Sequence, residues 1–436
     1  MSRRSQSRNS LRSRSSEGSI SGESDHRLSY YSDEGAALVA ARIKSFFDPD
    51  PRFRWEDTIG AGANGIVYRL QYKSARIAVK IAPVDVDLGE GYKSYEEDGA
   101  PPPAESLSLT LEKNLLRRLR GCVHIIQSLD IPQDPLQLTP TGVQPHRMRD
   151  WLFMEYAENG SVQLFVQRHL NQYPGELLPC RLLWRFFMCQ LAYYGLTTHD
   201  GRKVDLTRIP LESLQSIPPG PLVHGDMYPT NMVVGALMPQ IQPPEHTISP
   251  NLKLIDFGAA ENYNRTEDKF QRTGSARNIW DIGEIMRYLI TLRQDSAERV
   301  EVTVDGKTFN IFGDSMERAR EELIARGIDP LLIGIVYCCL SHQEATRPGL
   351  IELATRVHHQ VMNRGPNGVE RETDQAILKR VSTLILDADT RKRSREDDAD
   401  SENGRTKRSK VDEGPEVIGP APPPRTFRIQ RKKKQP

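Results

Sequence analysis

Glycines at 60, 62 and 65, in Gly60-Ala-Gly62-Ala-Asn-Gly65-Ile-Val67, fall in a turn between two segments of strand character. A turn without Cβ atoms lets backbone amides close on phosphate oxygens, with Val67 covering the face of a nucleotide base. A strand, not a helix, follows the last glycine, which excludes the dinucleotide-binding fold; an ordinary glycine-rich hairpin is the competing reading of these residues. Lys80 sits in the apolar strand Arg-Ile-Ala78-Val-Lys80-Ile, where an ammonium requires an anionic partner, either phosphate oxygens or a carboxylate. The candidate carboxylate is Glu112, followed by Leu115, Leu116 and Leu119 on a core-facing helical stripe. The alternative for Glu112 is a solvated position opposite that stripe.

A second cluster is Leu-Val-His224-Gly225-Asp226-Met-Tyr228-Pro-Thr-Asn231. An Asp followed by an Asn in such a loop can set one carboxylate beside an attacking hydroxyl and one amide oxygen on a metal. The third is Leu-Ile255-Asp256-Phe257-Gly258, an apolar strand ending in an acid before a flexible glycine. Asp256 suits a bridge from magnesium to phosphates, because hard cations prefer carboxylate oxygens. A lone Asp-Phe-Gly triplet occurs by chance, but three such motifs in this order very rarely do.

The elements that must position these groups change character along the chain. FRWEDTIGAG, GIVYRLQY and RIAVKIAP are short, rich in β-branched and aromatic residues, and predict an antiparallel meander. Further strands are expected near 123–131 and 151–157, which gives five. A helix is predicted over 105–120, after the Pro- and acid-rich loop EEDGAPPPAE, and another over 35–47 ahead of the strands. From 161 onward the apolar spacing is mainly helical, interrupted by Pro-rich insertions at 208–221 and 239–250 that read as surface loops. A sheet-rich first third followed by helices suggests two lobes.

Composition narrows the function classes. The 436 residues carry 59 Lys and Arg against 58 Asp and Glu, a net charge of +1 that by itself points to no polyanionic partner. The five cysteines have no C-x-x-C spacing and fit neither a disulfide framework nor a zinc site, so they read as reduced thiols. The longest apolar run, Leu331 to Leu340, is too short to cross a bilayer, and the start lacks a signal-peptide core; a soluble intracellular protein without a membrane partner is expected.

Together the motifs resemble those of eukaryotic-type protein kinases, and the resemblance covers essentially all of 52–362. The Asn278-Ile-Trp280-Asp-Ile-Gly283 form is similar to fungal kinase-like proteins. The resemblance implies an α+β, two-lobed fold: a small lobe over 52–153 with a five-stranded antiparallel sheet and one main helix, and a mostly helical large lobe over 154–362. It also implies ATP and Mg2+ as cofactors and Ser/Thr hydroxyls of proteins as substrates. Lys80 would hold the α- and β-phosphates with Glu112 as its helix partner, Asp226 would be the catalytic base, and Asn231 and Asp256 the magnesium ligands. Gly60, Gly62, Gly65, Val67 and Ala78 would line the nucleotide site. Met154 would be the gatekeeper, and Glu155, Tyr156 and Ala157 the hinge that holds adenine. Trp280 and Gly283 match the start of the large buried helix of the second lobe, and Arg347-Pro348 its late arginine motif.

Several positions depart from that family. Gly225 replaces an arginine that grips a phosphorylated activation loop. Tyr228 replaces a lysine that neutralises the transferring phosphoryl group, help worth about 3 kcal/mol. The span from Gly258 to Asn278 is short and has no A-P-E, so Arg347 loses its usual Glu partner. Asn278 stands in place of an Asp that braces the catalytic loop, a mild loss. These departures leave two alternatives: a nucleotide-binding pseudokinase scaffold, and a small-molecule phosphotransferase of the aminoglycoside-kinase type, which shares H-G-D-x-x-x-x-N. Outside the domain, 1–33 is a Ser/Arg-rich tail expected to be disordered, 34–51 a leading helix and linker, 363–387 a C-terminal helix, and 388–436 a disordered tail. Arg391-Lys392-Arg393 and Lys407-Arg408-Ser-Lys410 have the form of a bipartite nuclear-import signal, which implies an import receptor as partner and the nucleus rather than the cytoplasm. Weak nucleic-acid contact by the basic tails is the competing reading.

Overall fold

The computed structural model describes residues 33–62, 65–82, 104–137, 151–192, 222–237, 246–262, 274–294 and 298–385. The tails, the Pro-rich insertion at 208–221 and most of the EEDGAPPPAE loop lie outside them. By contacts the chain divides into 1–389 and 390–436, and the second unit falls wholly outside the described residues.

The described residues form an α+β arrangement. Strands β1 (Phe53–Gly62), β2 (Gly65–Tyr72), β3 (Ala75–Ile81) and β4 (Trp151–Glu155) make one antiparallel sheet in the order β1-β2-β3-β4. Strand alternation gives the sheet two apolar faces. Ile66, Tyr68, Leu70, Ile77, Val79, Ile81 and Phe153 point into one cluster, while Ala78, Leu152 and Met154 point into another. Helix α1 (Asp33–Phe47) covers the first face with Val39, Ile43 and Phe47 at i, i+4 and i+8. The Phe47 ring meets Phe53 at 5.1 Å and Phe153 edge-on at 6.2 Å, so this helix shares the core of the sheet and is no mere linker.

The expected fifth strand is corrected. The sheet has four strands, and the segment near 123–131 makes only isolated bridges, Ile125 to Leu254 and Ser128 to Met154. Gln127 explains the break: its N–H donates to the Glu155 carboxylate at 2.8 Å, and its side-chain amide turns back onto the Cys122 and Ile125 carbonyls. Pro132 then ends any further ladder.

Helix α2 (Ala104–Arg118) packs on the second face and buries Leu109, Leu115 and Leu116. Beyond β4 come α3 (Val162–Gln172), α4 (Cys180–Ala192) and three short strands: β5 (Leu222–Val223), β6 (Met232–Leu237) and β7 (Pro250–Leu254). β6 pairs with β7, and β5 with β8 (Glu261–Asn262). The long helix α5 (Gly274–Thr291) is almost wholly buried. At Gly283 an added Cβ would lie 3.0 Å from Cys339, so the glycine lets α5 approach the helix that carries that cysteine, α8 (Pro330–Cys339).

Between α5 and α8 lie a hairpin, β9 (Arg299–Val304) with β10 (Lys307–Phe312), and the short helices α6 (Asp314–Arg318) and α7 (Arg320–Ala325). The hairpin was not anticipated, although Asp305-Gly306, both at positive φ, is a strong turn signal. Helix α9 (Leu350–Asn363) leads to a final helix, α10, over 374–385. That helix is shorter than the 363–387 expected, and Ile377, Val381, Leu384 and Ile385 bury it in the main core. The end of the 239–250 insertion also departs from a surface loop, because His246, Ile248 and Ser249 are buried. Among the described residues no helix is long and apolar enough to cross a membrane.

Candidate active site

Register places Val67 and Leu152 opposite Lys80, and Met154 opposite Ala78. Opposed residues in an antiparallel pair share a face, so Val67, Ala78, Lys80 and Met154 line one side of the sheet. Lys80 is 4% exposed on that side. Its Nζ lies 2.7 Å from Glu112 Oε2 and 2.8 Å from Asp256 Oδ1. Burial works against the ammonium, but the two carboxylates outweigh it and hold its pKa above the ordinary lysine value. Burial likewise opposes the Asp256 charge; Lys80 overcomes it and sets that carboxyl below its usual range. For Glu112 burial wins, and the pKa is raised.

Glu112 therefore belongs to the buried stripe of α2 with Leu109 and Leu116, not to a solvated face. Its second oxygen accepts from Phe257 N–H at 3.3 Å. One turn earlier, Ser108 Oγ donates to the Gly258 carbonyl at 2.9 Å. Helix α2 thus grips the Asp256-Phe257-Gly258 turn at two points. Sequence reasoning missed Ser108; its i, i+4 relation to Glu112 was the available signal. Asp256 itself has φ 63° and ψ 75°, a costly conformation for a non-glycine residue, held by these bonds and by its own carboxylate accepting from Gly258 N–H.

The second group is assembled on the loop after β5. Asn231 Nδ2 donates to the Asp226 carbonyl at 2.9 Å and to Asp226 Oδ2 at 2.7 Å, which turns the amide oxygen away from Asp226. Two bonds join this loop to the residue before Asp256: Ile255 N–H donates to the Asn231 carbonyl at 2.9 Å, and His224 Nε2 lies 3.1 Å from the Ile255 carbonyl. His224 Nδ1 accepts from Asp226 N–H, so the ring is the neutral Nε2–H tautomer. Burial agrees, pushing its pKa down to about 4. Its edge-on contact with Phe257, at 4.8 Å, closes the back of the site.

The unusual residues have structural reasons. Gly225 has φ 80°, and a Cβ there would lie 2.4 Å from the Ala259 carbonyl oxygen, so the close approach of two loops excludes any larger residue. Asn278 uses both ends of its amide: Oδ1 accepts from His224 N–H at 3.0 Å and Nδ2 donates to the Leu222 carbonyl at 2.8 Å. An Asp could not make the second bond, so the amide is matched to its place and is no loss. Arg347 holds backbone oxygens instead of a glutamate, those of Ser341 at 2.9 Å and Ala276 at 2.7 Å.

The remaining predicted residues are placed as follows. Gly62 and Gly65 face each other at the β1–β2 turn, and Gly65 passes so close to the Ile81 carbonyl that a Cβ would sit 2.4 Å away; Gly60 has open space. Glu155 is a fastener, since its carboxylate takes Lys253 Nζ at 2.6 Å as well as Gln127 N–H. Tyr156 receives Arg69 at 3.1 Å, and the Ala157 carbonyl accepts from Gly160 N–H. Tyr228 is 60% exposed and borders a cavity of about 560 Å3 lined also by Trp280, Asp281, Arg287 and Phe312. Burial pushes the Asp281 carboxyl there up to about 7. Neither a protein-family profile nor a curated protein sequence matches the chain.

Proposed function

We propose that the chain is an ATP- and Mg2+-dependent protein kinase acting on Ser/Thr hydroxyls, with the four-stranded sheet and α2 as the smaller of two lobes. The observation that carries this reading is Lys80 held between Glu112 and Asp256 at 2.7 and 2.8 Å, with Asp256 one residue after Ile255, whose N–H donates to the Asn231 carbonyl of the Asp226 loop. A lysine so paired is oriented to receive α- and β-phosphate oxygens. The donors fit a hard cation: the Asn231 amide oxygen is turned from Asp226, and Asp256 offers its second carboxylate oxygen. Bound magnesium would neutralise charge on the phosphates. Asp226 would accept the proton of the substrate hydroxyl as its oxygen bonds to the γ-phosphorus and the bond to the β-phosphate oxygen breaks. Val67, Ala78 and Met154 would enclose adenine, and the glycines at 60, 62 and 65 would admit backbone amides to the phosphates.

A small-molecule phosphotransferase is the second reading, favoured by the cavity beside Tyr228, whose volume suits a drug-sized ligand. Magnesium-dependent ATP turnover by the wild type, absent in Asp226→Asn, is the expected result; a wild type that binds ATP and turns none over would leave only a nucleotide-binding scaffold, and equal turnover in both would remove Asp226 as the base. A peptide array run beside a panel of hydroxylated metabolites separates the two enzymes. The tail at 388–436 would carry the chain to the nucleus through an import receptor, and a reporter fused to it that stays cytoplasmic counts against that.

A further inference from the structure

Three side chains that the phosphoryl-transfer reading does not use meet behind the site. His124 follows α2, Cys189 lies on α4, and His246 stands just ahead of β7. They are 4%, 2% and 1% exposed, and their ligand atoms all lie within 4.8 Å of one another. Chain separation hides the group from any spacing rule, which is why the cysteines read as unsuited to a metal.

The geometry is specific. His124 Nδ1 lies 2.9 Å from the Leu252 carbonyl, a bond that puts the proton on Nδ1 and leaves a lone pair on Nε2. That Nε2 faces His246 Nε2 at 3.4 Å. Two imidazole nitrogens bound to one tetrahedral zinc at about 2.0–2.1 Å each lie about 3.3 Å apart. The rings are tilted by 47°, with centroids 5.0 Å apart, so they are not stacked. No hydrogen bond of His246 Nδ1 among the described residues fixes the tautomer of this ring, so its Nε2 is able to carry the lone pair.

We infer that His124, Cys189 and His246 form a zinc site that ties the loop after α2, helix α4 and the lead into β7 together. Two imidazoles and one thiolate suit zinc's borderline softness, and a water takes the fourth tetrahedral position. The site is linked to the candidate active site through one bond: the His124 carbonyl accepts from Leu254 N–H at 2.9 Å, two residues before Asp256. The ion would brace the strand that delivers Asp256 and take no part in chemistry.

The test uses the full chain. Elemental analysis after gel filtration should find about one zinc per chain. Chelator-stripped protein titrated with Co2+ should develop a thiolate-to-cobalt charge-transfer band that saturates at one equivalent and is displaced by zinc. Cys189→Ser should abolish the band, His246→Gln should weaken zinc binding at least tenfold, and Cys338→Ser should change neither. Should a variant fail to fold, the wild-type titration still decides. No band and less than a tenth of an equivalent of zinc overturn the proposal, as does a band that survives Cys189→Ser.

Discussion

The two sides of the candidate site are built on different principles. Around Lys80, charged side chains hold one another: an ammonium between two carboxylates, with Glu112 and Ser108 also gripping the turn that follows Asp256. Around Asp226, side chains hold backbone: Asn278 on Leu222 and His224, His224 on Ile255, Arg347 on Ser341 and Ala276. The first arrangement offers charge to a ligand and is the one on which the proposed phosphoryl transfer rests. The second fixes a loop, and Gly225, Tyr228 and Asn278 all belong to it or brace it. Proposed phosphate binding and the proposed base are therefore held by different means, and each can be perturbed alone.

The largest effect should come from Lys80→Met. Removing the ammonium leaves the buried Glu112 carboxylate and the partly exposed Asp256 beside it uncompensated, at a cost of about 3–5 kcal/mol in urea unfolding, and ATP turnover should vanish. Retained turnover would mean that the phosphate-binding lysine is another residue. Acid should strike the Asp226 side next. His224 has a folded pKa of about 4 against an ordinary 6.5, so the unfolded chain binds more protons in that window. Stability from this group is complete above pH 6.5 and is lost as pH falls toward 4, on the order of 3 kcal/mol in all. A stability profile flat from pH 7 to 4 would break the assignment of a buried neutral ring.

Paired glycine replacements sharpen the contrast. Gly225→Ala should cost about 1–3 kcal/mol from positive φ alone, with the contact to Ala259 adding to it. Gly60→Ala has open space and should leave unfolding within about 0.5 kcal/mol while raising the KM for ATP. The smallest change expected is from Tyr228→Lys. At an exposed side chain it should leave stability alone and speed phosphoryl transfer about tenfold, roughly 1.4 kcal/mol of barrier. No gain would remove the view that a missing cation slows this loop.

Residues whose chemistry is local were legible in the sequence. Strands β1 to β3 announce themselves by β-branched alternation, and Lys80, Asp226, Asn231 and Asp256 by what surrounds each within a few positions. Glu112 was readable only in part, because helical spacing alone does not say whether a glutamate joins the buried stripe. What escaped depends on contact between distant segments. The strand near 123–131 is broken by a carboxylate from Glu155, and the glycine at 225 answers to Ala259. Neither His124 nor His246 carries a signature of its own. The β9–β10 hairpin is different: its Asp305-Gly306 turn was in plain view and was overlooked.

Helix α1 has a practical consequence for anyone who trims this protein. Phe47 is 1% exposed against Phe53 and Phe153, so cutting the chain at residue 52 would strip the back of the sheet and leave an aromatic patch open to water. Such a fragment should clump on expression.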